Sequence, residues 1–200
     1  EVLITLAIIG TVAALTIPAI VRNYQETQRK AQFKKAYAVL QQTFQKTIAV
    51  DFGGSVDCYY REDSSRLSTQ CPDFLNQFTK NLKVSKFCNG NALAGGCVPK
   101  YSRYQSGGCN GYSEEYINKY NAAWVLGDGM NLITYWSLAN AYPLFLIDIN
   151  GAKPPNKWGY DLFAFIFRQQ GNRIQLMPGG CELVDAGGRS AEAMLKWVYK

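Results

Sequence analysis

Hydrophobic residues follow two contrasting patterns along the first fifty positions. From Val2 to Val21 the sequence carries no charge, and only threonines, Gly10 and Pro18 interrupt the apolar run. Twenty residues rising about 1.5 Å each make a helix of about 30 Å, the thickness of a bilayer core. From Arg22 onward, apolar residues recur every three or four positions, which predicts an amphipathic helix with one buried stripe. The stripe consists of Phe33, Ala36, Tyr37, Leu40, Phe44 and Ile48.

The two patterns join without a break. After Pro18 no helix-breaking residue occurs before Gly53, so one helix is predicted from Glu1 to about Val50. Residues 1–21 form the apolar half of this helix, which would lie in a membrane or in the core of a filament. Residues 22–50 form the amphipathic half. The remaining residues, 51–200, are enough for one globular domain with its own core.

The globular part is predicted to be mixed in structure. Short helices are expected at 72–82 and at 113–120, with Ser113 as N-cap. Residues 190–199 are expected to form a short helix or an edge segment. Apolar runs between turn residues predict a hairpin of 124–126 with 132–138, followed by strands at 143–149, 162–168 and 173–177. Consecutive strands with short turns imply an antiparallel meander, with one face covered by the amphipathic helix. The predicted fold class is therefore α+β.

The cysteine and histidine content restricts which catalytic sites, metal sites and disulfides the chain can form. The chain has no histidine, which excludes Ser-His-Asp and Cys-His catalytic sets and histidine-liganded zinc. The cysteine count is even and contains no Cys-x-x-Cys pair, which in an exported domain indicates disulfides. Six cysteines allow 15 pairings, among which sequence does not choose. Short-loop pairing suggests Cys58–Cys71 and Cys88–Cys97, leaving Cys109–Cys181.

The apolar N-terminal run also has two simpler interpretations. A secretory signal peptide has a basic start, a shorter apolar run and a small-residue cleavage site, whereas this run begins with an acid and continues into more helix. An ordinary one-pass anchor with a kink at Pro18 also fits the composition. It leaves Glu1 unexplained, because a lone carboxylate beside lipid is costly without a partner.

The segment EVLITLAIIGTVAALTIP, from Glu1 to Pro18, resembles the N-terminal helix of type IV pilins and type II secretion pseudopilins. The likeness covers about the first 25 residues. It implies assembly roles for three residues: Glu1 neutralises the N-terminal ammonium of a neighbouring subunit, and the helix loosens between Gly10 and Pro18 when subunits pack into a filament.

The resemblance also implies a function. The chain is expected to be a structural subunit of an extracellular type IV pilus-like filament, a helical homo-oligomer on the cell surface. Before assembly it would lie in the inner membrane and meet the pilus or secretion assembly machinery. Alternatives are a periplasmic pseudopilus subunit and a minor pilin or adhesin. An enzyme is not expected, and the net charge of +6 leaves DNA or surface binding open.

One loop is a candidate metal site. Asp148, Asn150 and Asp161 offer oxygen ligands, and the Asp-x-Asn-Gly opening is typical of calcium loops. The bidentate glutamate of an EF-hand is missing at the twelfth position, so the competing interpretation is a polar loop that joins two strands. No other cofactor is expected.

Overall fold

A computed structural model describes residues 2–60, 70–171 and 173–200 of the chain. Helix α1 runs from Val2 to Lys46, and a wider π-helical turn, Thr47–Asp51, continues it. The long helix expected up to about Val50 is therefore confirmed for the described residues. Pro18 lies inside α1. Its missing N–H removes one backbone hydrogen bond from the helix.

Within the described residues, six antiparallel strands follow α1 in a meander, so that each strand pairs with the next along the chain. The strands are β1 (Val84–Asn89), β2 (Ala122–Leu126), β3 (Asn131–Thr134), β4 (Leu144–Asp148), β5 (Leu162–Gln170) and β6 (Arg173–Pro178). Three further helices are α2 (Cys71–Lys80), α3 (Glu114–Lys119) and α4 (Ala191–Val198), and single 3-10 turns occur at Gly107–Tyr112 and Leu138–Asn140. The α+β class is thus confirmed.

Two details of the strand prediction were wrong. The second strand of the first hairpin, expected to reach position 138, ends at Thr134. Trp136 has a φ of 67°, a left-handed backbone conformation that breaks the strand. Strand β1 was not predicted, because its side chains are mostly exposed and show no alternation of burial.

One face of the sheet packs against α1, α2 and α4. The stripe of α1 is buried there: Phe33 lies with its ring centroid 4.9 Å from that of Phe163, and Phe44 stacks on Phe167 at 5.0 Å. Such aromatic pairs add stabilisation beyond the area they bury. The amphipathic half of the helix therefore serves as part of the head's core, as its periodicity predicted.

The opposite face of the sheet is covered by the segment between β1 and β2 together with residues near Cys181. Buried residues of that segment, including Val98, Tyr112 and Ile117, pack on the small aliphatic side chains that alternate with the aromatic ones along the strands. The Cys-rich segment is thus a second packing layer.

The disulfides join Cys58 with Cys71, Cys88 with Cys97, and Cys109 with Cys181. The pairing suggested from short loops is therefore confirmed. The third bond ties the 3-10 turn at Gly107–Tyr112 to the segment that follows β6. It closes a loop that contains β2 to β6.

Candidate functional site

The first twenty described residues of α1 form an exposed apolar arm, Val2 to Val21. Relative exposure is 82% for Leu3 and 80% for Leu15. Among the described residues, one helix is long and apolar enough to cross a membrane. Its apolar 18-residue stretch has a mean hydropathy of 2.3, and none of that stretch is buried. Soluble proteins rarely expose so large a contiguous apolar surface, which normally marks an interaction or membrane site.

The polar side chains of the arm hydrogen-bond within the helix. The hydroxyl of Thr5 donates to the Val2 carbonyl at 2.8 Å, that of Thr11 to the Ile8 carbonyl at 2.9 Å, and that of Thr16 to the Val12 carbonyl at 2.8 Å. In lipid or in a dry helix bundle, a polar group without a partner costs several kcal/mol. The threonines therefore fit an apolar environment.

The sequence predicted assembly roles for Glu1, Gly10 and Pro18, and the structure describes only the last two. Glu1 lies outside the described residues. A Cβ built on Gly10 meets nothing within 4 Å, so the chain itself gives no steric reason for glycine there. A glycine on an open apolar face allows another helix to approach closely. The loosening predicted between Gly10 and Pro18 stays a prediction, because this segment is helical here.

Cations on α1 fix the orientation of the head. The Arg29 guanidinium lies 4.2 Å from the ring centroid of Tyr160, and Lys30 lies 5.2 Å from that of Trp197. Lys34 lies 5.8 Å from the ring centroid of Tyr199. Each such contact contributes about 0.5–1 kcal/mol at an exposed site. Together with the buried stripe, they hold the head at one angle to the arm. The sequence showed the basic residues but not their aromatic partners.

The three candidate calcium ligands do come together. The side-chain amide of Asn150 donates to Asp161 Oδ1 at 3.1 Å, and the Asn150 backbone N–H donates to Asp148 Oδ1 at 3.2 Å. The hydroxyl of Tyr101, a residue that sequence reasoning missed, donates to Asp148 Oδ2 at 3.0 Å. Asp161 Oδ2 accepts from the Lys157 backbone N–H at 3.2 Å. All four carboxylate oxygens therefore accept hydrogen bonds from the chain.

Burial changes the acidity of these carboxyls. It raises the pKa of Asp148 well above its usual range, and the nearby Asp161 carboxyl raises it further. Burial also raises the pKa of Asp161 to about 6, against the lowering effect of backbone hydrogen bonds and of Arg29. Asp148 forms the turn through Asn150 and Gly151, so it has a clear structural role. Among the described residues, no group of three or more His, Cys, Asp or Glu side chains could hold a metal ion.

Glu182 is a second buried carboxyl, and no sequence motif marked it. It accepts hydrogen bonds from the backbone N–H of Ala191, the first residue of α4, at 2.9 and 3.1 Å. Burial raises its pKa to about 7, although these N–H donors act in the opposite direction. Glu182 thus fastens α4 beside the sheet.

The 149–161 loop meets α1 just beyond the arm, where Gln25 and Arg29 line one cleft with Asn150 and Asp161. This arrangement can embed a helix in an apolar phase and present a rigid head outside it. Comparisons with protein-family models, with curated protein sequences and with solved structures find no match for this chain.

Proposed function

We propose that this chain is the subunit of a type IV pilus-like extracellular filament, which polymerises through the apolar half of its N-terminal helix. The observation that carries the proposal is the fully exposed arm, Val2 to Val21, continuous with a helix whose second half belongs to the head's core. The resemblance of the first 25 residues to pilins and pseudopilins supports the same function.

The continuity of the helix favours a filament over a simple tether. A tether needs only a flexible linker between span and head, whereas here four buried stripe residues of α1 and three contacts of its cations with aromatic rings of the head fix the two together. Helical polymers require each head to stand at the same angle to the shared core. The rigid junction supplies that angle.

In this proposal the subunit waits in the inner membrane and then moves into the filament core. Both environments are apolar, so the arm is never transferred into water. Glu1 neutralises a neighbour's N-terminal ammonium, because a carboxylate in an apolar core needs a cation. The head faces outward and determines the filament's surface.

The test uses charge insertion at two exposed sites of the same helix. Leu15→Glu places a charge in the arm, and Tyr24→Glu places one just beyond it; both side chains are exposed, 80% and 67%, so neither change disturbs the head's core. We expect Leu15→Glu to abolish filaments and Tyr24→Glu to retain them. The readout is electron microscopy of sheared filaments with mass spectrometry of the subunit.

A second variant addresses charge pairing. Glu1→Ala should leave the head folded and the subunit in the membrane but block its entry into filaments, while Glu26→Ala on the same helix should not. Normal filaments from Glu1→Ala would refute the pairing. Wild-type assemblies confined to the periplasm would favour a pseudopilus subunit instead.

A further inference from the structure

A polar cleft separates α1 from the loop between β4 and β5. Its volume is about 440 Å³, within the usual range for small-molecule sites. The helix contributes Gln28, Arg29 and Gln32, and the loop contributes Asn150, Tyr160 and Asp161. Together with Gln25, four amide side chains therefore line the cleft, with one cation and one carboxyl.

The cleft lies just beyond the end of the arm. It begins at Gln25, four residues after Val21, which is about 6 Å further along the helix axis. The headgroup layer of a bilayer extends about 5–8 Å outside each side of the hydrocarbon core. When the arm spans a membrane, the mouth of the cleft is at the level of the lipid headgroups.

The cleft carries one charged group of each sign, Arg29 and Asp161. On the helix side, Arg29 stacks on Tyr160 at 4.2 Å, which holds its guanidinium in place. On the loop side are the Asp161 carboxyl and the side-chain oxygen of Asn150, which has no hydrogen-bond donor among the described residues. One wall is thus rich in donors and positive, and the floor is rich in acceptors and negative.

We propose that this cleft binds the phosphoethanolamine headgroup of an aminophospholipid, with the phosphate towards Arg29 and the ammonium towards Asp161 and Asn150. The proposal rests on the membrane-anchored state in the proposed function, but not on filament formation. An ionised Asp161 repels a purely anionic headgroup. A choline headgroup cannot donate hydrogen bonds to the acceptor-rich floor, so the ethanolamine ammonium fits best.

The site has a simple role in this state. Guanidinium–phosphate hydrogen bonds are strong and directional, so a bound lipid fixes the rotation and height of the head above the bilayer. The lipid leaves when the subunit leaves the membrane.

The experiment uses the full chain in detergent micelles with equimolar dioleoyl phosphatidylethanolamine, phosphatidylglycerol and phosphatidylcholine, and counts bound lipids by native mass spectrometry. We expect phosphatidylethanolamine to be enriched about tenfold, the effect of one hydrogen bond to a charged group. Arg29→Gln should remove the enrichment, and Arg29→Lys should reduce it. Arg22→Gln, which removes the same charge outside the cleft, should leave it unchanged.

Equal retention of the three lipids would overturn the site. An equal loss of phosphatidylethanolamine enrichment in Arg29→Gln and Arg22→Gln would also overturn it. A second measurement uses soluble O-phosphoethanolamine. If this compound binds at millimolar concentration while the lipid does not, the ligand is a free phosphoester and the lipid proposal fails. Normal filaments without lipid selectivity would sink this inference alone. Selectivity without filaments would support it and count against the proposed function.

Discussion

Removing the Cys109–Cys181 disulfide should destabilise the head more than removing Cys88–Cys97. The bonded residues are 72 apart in sequence in the first case and 9 apart in the second. In the chain-entropy model the cost of losing a crosslink grows with the logarithm of the loop it closes. This gives about 4.4 kcal/mol for the long loop and about 2.6 kcal/mol for the short one.

The comparison is chosen for its local environments. Cys58 and Cys71 are both fully buried, so removing that pair also costs packing and would confuse the result. Cys109 and Cys181 are only partly buried, so their loss mainly affects the unfolded chain. Cys97 is 1% exposed, so packing lost there makes the loop-entropy difference between the two pairs an upper limit. Alanine replaces each cysteine, which avoids placing a new hydroxyl in an apolar site.

The assay is urea unfolding of the full chain in micelles, followed by tryptophan fluorescence. We expect the two double variants to differ by at most about 1.8 kcal/mol, a factor of about 20 in the unfolding equilibrium constant. If the Cys109→Ala/Cys181→Ala variant is no less stable than Cys88→Ala/Cys97→Ala, loop closure is not what this bond contributes.

Three further predictions concern the head. Because the pKa of Glu182 rises from 4.5 to about 7 on folding, the folded state binds the proton more tightly, and this carboxyl should lower the unfolding free energy by roughly 3 kcal/mol between pH 4.5 and 7. Glu182→Gln should remove this part of the slope in urea titrations and leave the part that comes from Asp148 and Asp161; an unchanged slope would contradict it. Leu40→Ala should cost about 2–5 kcal/mol by the same assay, whereas the exposed Tyr24→Ala should stay within about 0.5 kcal/mol. Millimolar calcium should leave the melting temperature unchanged, because the oxygens of Asp148 and Asp161 already accept hydrogen bonds; a clear rise would restore the calcium site.

Local signals determined much of this protein from its sequence. The 3.6-residue period marked the buried face of α1, and Ser113 marked the start of α3, where its side chain accepts from the Tyr116 N–H. The apolar runs of β4 and β5 were located to within two residues at either end. These features depend on side chains within a few positions of one another, which a pattern along the chain can record.

Tertiary structure decided the rest, because the deciding contacts join distant positions. Strand β1 exists through its pairing with β2, and its own side chains carry no burial pattern. The raised pKa of Asp148 needs the surrounding core and the Asp161 carboxyl, whereas the hydroxyl of Tyr101, 47 residues away, donates a hydrogen bond that acts against the rise. The cleft needs Arg29 beside Asp161, brought together only when α1 packs on the sheet. The sequence alone therefore indicates the apolar arm and the helices and strands other than β1. Folding creates the environments of the buried carboxyls and the cleft between α1 and the loop.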